Sequence, residues 1–201
     1  MKSLIFVWSA LLLLLLLMRC TPDSKVDTTK AFETAKLTAL DSAALVKRGD
    51  YLVTVMVCDD CHTPKKMTAN GPEPDMDRRL MGHPANEVYT ADAVKNKLIK
   101  NEHVAVFSPG LTGIAGDWGV SYAANLTPHE TGTGNWTEAN FFKAIREGKY
   151  KGLDGGRSLL PPMPWQQYRH LNDEDLRAIF LYLKTLTPID NLVPRPVPPA
   201  Q

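Results

Sequence analysis

Cysteine is scarce in this chain, and basic charge gathers nowhere. Three cysteines occur among 201 residues, too few for a disulfide framework. Two of them stand close together, at Cys58 and Cys61. No second Cys/His pair follows at short spacing, so a structural zinc site would lack half its ligands. No βαβ pattern surrounds the pair, which argues against a thioredoxin-like dithiol. Lys and Arg total 23 against 22 Asp and Glu, a net charge of +1. No basic stripe exists, which argues against nucleic acid as a partner. One long apolar run occurs, from Leu4 to Met18. It falls short of the ~20 residues that a comfortable membrane span needs.

The informative stretch is Cys58-Asp59-Asp60-Cys61-His62. C-x-x-C-H is the attachment signature of a c-type haem. Two thiols add across the two vinyl groups of one porphyrin, so they must sit a fixed distance apart. Two intervening residues in a tight helical turn supply that distance. The next residue, His62, then lies under the ring and can bind the iron from one side.

Helical periodicity places this motif. Leu45, Gly49, Leu52, Val53 and Met56 fall on one side of a helix over 43–57. Gly49 is costly in a helix interior, which points to close approach of a second helix. A strong start signal, Leu171 to Leu176, opens a C-terminal helix with Asn172 as cap and acids in the first turn. Leu176, Ile179, Phe180, Leu183 and Leu186 form its apolar stripe, and Pro188 ends it. A further helix is expected from Glu138 to Glu147, capped by Thr137 and followed by Gly148, with Phe141, Phe142 and Ile145 facing inward. Between these two helices lies an irregular loop, 152–165, whose one soft donor is Met163. Pro162 and Pro164 fix the backbone on both sides of it. A thioether opposite a histidine is the ligand pair of electron-transfer cytochromes c, although a loop methionine also serves as core filler.

The order of a helix into C-x-x-C-H, a middle helix, a methionine loop and a C-terminal helix resembles the class I cytochrome c fold. The stretch from Asn125-Leu126-Thr127-Pro128 through Gly134-Asn135-Trp136, with Pro162-Met163-Pro164-Trp165 and the last helix, resembles bacterial haem domains. Such domains occur singly or as cytochrome subunits of membrane dehydrogenases. The resemblance covers about 47–66 and 120–187. It implies a mostly α domain, one covalent haem c, and His62 and Met163 as iron ligands. By analogy, Trp136, Asn125 and Arg79 are candidates for holding the haem propionates. Asp59 and Asp60 are expected to face solvent. The departure is the segment 67–120, a long insertion with a short helix at 91–100 and β-like runs near 103–107 and 118–124. Met81 and His83 within it are rival iron ligands.

The N-terminus resembles a bacterial lipoprotein leader. Lys2 precedes the apolar run, and Cys20 ends it. The resemblance implies cleavage before Cys20 and acylation of its thiol, which accounts for the odd cysteine. Arg19 departs from the pattern, where a small residue is usual; an uncleaved anchor or a later cleavage are the alternatives. Removing 1–19 takes away Lys2 and Arg19, leaving 21 bases against 22 acids. The expected organisation is a signal peptide (1–19), a flexible tether (20–42), a cytochrome domain (43–187) and a proline-rich tail (188–201). The expected role is an extracytoplasmic carrier of single electrons between redox proteins, with a membrane dehydrogenase or terminal oxidase as partner and the lipid as membrane contact. Two other classes stay open. One is a haem enzyme or ligand-binding haem protein whose distal group would be His83. The other is a fixed haem subunit of a dehydrogenase complex.

Overall fold

A computed structural model describes residues 28–87 and 97–199. The expected signal peptide and Cys20 lie outside the described residues. The chain divides into two units, Met1–Ala39 and Leu40–Gln201. Helix α1 runs from Thr28 to Val55 and so begins well before residue 43. Part of the stretch expected to be a flexible tether is therefore helix. Its run Lys30 to Leu40 is rich in Ala, Lys, Leu and Glu, whose high propensity suffices without an apolar stripe.

The second unit is mostly helical, with small β elements inserted after the haem motif. In chain order it holds α2 (Cys58–His62), a hairpin of β1 (Lys65–Thr68) and β2 (Gly71–Pro74), and α3 (Lys97–Glu102). Next come three short strands, β3 (Val106–Phe107), β4 (Gly113–Gly116) and β5 (Gly119–Tyr122). Three helices finish it: α4 (Glu138–Glu147), α5 (Trp165–Tyr168) and α6 (Asp173–Thr185). Both sheets are antiparallel, the second in the order β3-β4-β5. The expected β-like runs correspond to β3 and β5. The intervening β4, Gly-Ile-Ala-Gly, carries no sequence signal because glycine and alanine are depleted in strands. Of the helix expected at 91–100, the part from Lys97 onward is described and helical.

Caps fix the ends of the two long C-terminal helices. Thr137 Oγ1 accepts from Asn140 N at 3.1 Å while Asn140 Oδ1 accepts from Thr137 N at 3.1 Å, satisfying two otherwise orphaned donors. Asn172 Oδ1 accepts from Asp175 N at 2.7 Å. Asp173, Glu174 and Asp175 then place negative charge at the positive end of α6.

The main core joins α1, α4 and α6. Leu52 and Val53 meet Phe141 and the α6 stripe of Leu176, Ile179, Phe180 and Leu183, with Leu80 of the insertion among them. Each such aliphatic or aromatic side chain contributes about 1.5–3 kcal/mol by leaving water. Gly49 lies where α1 crosses α6: a Cβ there would stand 2.1 Å from Ala178 O and 2.6 Å from Tyr182 Cβ. The mid-helix glycine is thus required by contact between the two helices. A second cluster, Ile99, Ala115 and Val120, belongs to the insertion and is joined by Val197 of the tail.

Candidate haem-attachment site

The site begins where α1 stops. Val57 adopts a left-handed conformation, φ 55, which turns the chain before α2. Cys58 and Cys61 then lie one helical turn apart, both as free, partly buried thiols. Burial, aided by the charge of Asp59, pushes the Cys58 thiol up to about 12. Burial and Asp60 push Cys61 up as well. Among the described residues, no three His, Cys, Asp or Glu side chains gather as a metal cluster.

His62 is buried, and its Nδ1 lies 2.8 Å from the Ala124 carbonyl oxygen. A carbonyl can only accept, so Nδ1 carries the proton and Nε2 presents a bare lone pair. Burial lowers the pKa of the ring, more than the hydrogen bond raises it, so the imidazole is neutral. A neutral ring held through one nitrogen by a backbone carbonyl is the state in which histidine binds metal through the other. The end of α2 is closed by Lys65, whose Nζ donates to Asp59 O, Asp60 O and Thr63 O at 3.1, 2.9 and 2.8 Å. Positive charge on the last carbonyls of a helix complements its dipole.

Asp59 and Arg79 differ from the sequence expectation. Arg79 Nε and Nη2 donate to the two carboxylate oxygens of Asp59 at 3.0 and 2.8 Å. The same guanidinium reaches Asp50 Oδ1 at 3.0 Å, Thr54 Oγ1 at 3.2 Å and the Tyr182 hydroxyl at 2.5 Å. Asp59 is therefore turned inward, and only Asp60 of the pair is exposed. Burial works against ionisation of Asp59, but the hydrogen bonds from Arg79 and Thr63 outweigh it and hold the carboxyl below its usual range. Arg79 is committed to joining α1, α2 and α6 and has no donor set aside for a propionate.

Asn125 is committed too. Its Nδ2 donates to Ile189 O at 2.9 Å and Thr131 Oγ1 at 3.2 Å. Its Oδ1 accepts from Thr127 N and Thr127 Oγ1 at 2.9 and 2.8 Å. It organises the 125–131 turn rather than offering a free amide. Trp136 packs, partly buried, against the main core, and its indole N–H makes no hydrogen bond among the described residues. Of the three candidates it alone keeps a free donor. His83 is fully buried, with Nδ1 2.8 Å from Thr112 Oγ1 and Nε2 3.1 Å from Glu87 O. Both ring nitrogens are taken, so it offers no lone pair to an iron and no distal proton.

The methionine loop is tied to the motif from two sides. The Tyr168 hydroxyl donates to Met56 O at 2.6 Å, two residues before Cys58. Burial, then the proximity of Cys58 and Cys61, pushes Tyr168 up to about 12. From β5, Ser121 Oγ donates to Pro161 O at 2.6 Å. Met163 sits between these ties, partly buried, and its own carbonyl accepts from Trp165 N at 2.9 Å.

No family model matches the chain. It resembles, at low identity, cytochrome c subunits of several dehydrogenases. It is 31% identical over 140 residues, 69% of this chain, to the gluconate 2-dehydrogenase cytochrome c subunit of Pantoea cypripedii. Over the same length it is 29% identical to the cytochrome c subunit of the quinone-dependent alcohol dehydrogenase of Gluconobacter oxydans. A shorter match, 36% over 91 residues, joins 44% of it to the fructose dehydrogenase cytochrome subunit of Gluconobacter japonicus. The chain spans 22%, 21% and 18% of these relatives, respectively.

Several residues that build the site carried no sequence signal. Tyr168 and Ser121 are ordinary polar residues whose importance comes from partners 112 and 40 positions away along the chain. Lys65, three residues after His62, is the exception, since a basic residue just past a short helix is a recognisable C-terminal complement.

Proposed function

We propose that this chain is a monohaem c-type cytochrome of the class I fold, working as the electron-relay component of a membrane dehydrogenase. It carries electrons and is not itself an enzyme. Cys58 and Cys61 would hold the haem covalently, and His62 would bind the iron through Nε2. Met163 would supply a second iron ligand, and Trp136 is the remaining candidate for a propionate. The bound haem supplies one-electron chemistry; the protein sets its potential, exposure and docking. The observation that carries this reading is the His62 Nδ1–Ala124 O hydrogen bond, which leaves Nε2 bare on the residue that follows two free thiols in C-x-x-C-H order. The donor set fits the group.

The dehydrogenase setting is favoured over a free shuttle by the relatives, whose names are those of dehydrogenase subunits. The enzyme alternative loses its distal group, because both nitrogens of His83 are engaged. The protein acts outside the cytoplasm, held to a membrane through a lipid on Cys20 after removal of 1–19. Among the described residues no helix is long and apolar enough to cross a membrane.

Attachment is tested on a denaturing gel stained for haem. The unmodified chain keeps its haem, and the Cys58→Ala, Cys61→Ala double variant loses it; haem that extracts from the unmodified chain into acidified organic solvent overturns the reading. The setting is tested by mild detergent extraction of native membranes. The chain co-purifies with dehydrogenase activity if it is a subunit and elutes alone if it is a free carrier. Fatty-acid labelling of the natural chain, absent in Cys20→Ser, checks the anchor.

A further inference from the structure

The proline-rich tail places one buried amide behind the haem-motif histidine. Asn191 is 5% exposed although its neighbour Leu192 is 73% exposed. Its Nδ2 donates to Met81 O at 2.7 Å and to His83 O at 2.9 Å, and its Oδ1 accepts from Ala85 N at 2.9 Å. Its amide nitrogen and its oxygen are both engaged on one short strip of chain. The backbone is held as well: Asn191 N donates to Thr131 Oγ1 at 3.1 Å, and Val197 exchanges two backbone hydrogen bonds with Val120.

The strip that Asn191 grips is centred on Gly82, between its two accepting carbonyls. Gly82 has φ +78, and a Cβ on it would stand 2.5–2.6 Å from Ala123 O, Ala124 C and Ala124 O. Gly82 thus lies directly on the Ala124 peptide, the group whose oxygen accepts from His62 Nδ1. Gly82 N also donates to His62 O at 2.8 Å, and His83 N to Ala123 O at 2.9 Å. Chain 81–83 is therefore sandwiched between Asn191 on one side and the Ala124 carbonyl and His62 on the other.

We infer that Asn191 is a positioning residue for His62: by locking Met81 and His83 it holds Gly82 against Ala124, and so fixes the carbonyl that orients the imidazole. This rests on the haem reading above. A hydrogen bond at Nδ1 makes the ring a more basic ligand, and a more basic ligand favours the oxidised iron. Loosening the carbonyl therefore favours the reduced iron, whereas losing Met163 does the opposite.

The test compares the haem-loaded Asn191→Ala variant with the unmodified protein. The midpoint potential should move to more positive values while the methionine–iron charge-transfer band persists. Exchange of the His62 Nδ1 proton with deuterium, followed by NMR, should be on the order of tenfold faster. A fall in thermal stability with potential and exchange both unchanged would reduce Asn191 to a structural role and overturn the inference. If the variant does not fold, the unmodified protein decides. The His62 Nδ1 proton and the Asn191 side-chain amide protons should exchange through one opening, with a common urea dependence; separate openings overturn it. An unmodified chain that binds no haem refutes the functional reading instead, and the shared-exchange measurement still answers for Asn191.

Discussion

Arg79 and Asp59 form a two-pronged ion pair inside the haem motif, with Nε and Nη2 each donating to one carboxylate oxygen, at 3.0 and 2.8 Å. Both side chains are mostly shielded, at 19% and 17% exposure. The pair stands between α2 and the two long helices α1 and α6, because Arg79 also donates to Asp50 on α1 and Tyr182 on α6. The charge of Asp59 is thereby answered within the protein, which leaves Asp60 as the exposed acid of the motif.

Arg79→Gln should destabilise the protein by about 2 kcal/mol near neutral pH, the scale of hydrogen bonds to a charged group. The effect has a definite pH dependence. The carboxyl of Asp59 titrates lower in the folded chain than its unfolded value of 3.8. Its contribution is full above the unfolded value and is lost as pH falls through the folded one. Urea denaturation of both proteins should give a difference that is constant from about pH 5 to 7 and narrows below about pH 4.

Met163→Ala should lower the midpoint potential and let cyanide or imidazole bind the iron. His83→Ala should do neither, because both nitrogens of that ring are engaged away from any ligand site. It should instead cost about 1–3 kcal/mol by orphaning the buried Thr112 hydroxyl. Visible spectra with added ligand separate the two. Ligand binding in His83→Ala but not in Met163→Ala would refute the assignment of Met163.

Tyr168→Phe removes the tie between the methionine loop and Met56 while keeping the ring. A stability loss of about 1 kcal/mol is expected. The sharper consequence is kinetic: external ligands should displace methionine faster, because the loop is released on the side that faces the cysteines. Stopped-flow mixing with imidazole measures this, and an unchanged rate would mean that Ser121 alone holds the loop.

Gly49→Ala drives a methyl group into the α6 backbone at Ala178. Neither partner is a flexible side-chain end, so the helices must separate. A loss of about 1–3 kcal/mol is expected, in the range of overpacked cores. The gain in helix propensity, ~1 kcal/mol, works the other way and sets the lower end. Thermal denaturation reads the net effect.

The features legible in the sequence are local ones. Thr137 and Asn172 announce α4 and α6 by capping, Leu176 to Leu183 by period, and Gly49 by its cost. Polar residues are illegible where the partner is distant: Asp59 faces an arginine 20 residues on, and Asn125 spends its amide on Ile189 and Thr131. Asn191 lies 110 residues from Met81, and nothing within a few positions of it marks it as buried. Propensity also outweighs pattern at 28–42, where a stretch without an apolar face is helical.

The tail closes on the strip behind His62 from the far end of the chain, and this has a consequence for the order of events in folding. Cys61 and Asn191 are 130 positions apart, 191 less 61. At roughly 5–20 residues per second, synthesis takes about 6–26 seconds to bridge them. Until then the contacts of Asn191 with Met81, His83 and Ala85 are missing, and a thiol not yet buried has the ordinary acidity of exposed cysteine. In the folded chain, burial raises Cys58 to about 12 and starves it of the thiolate that reacts. On the haem reading proposed above, covalent capture at Cys58 and Cys61 would therefore be favoured in a chain not yet folded.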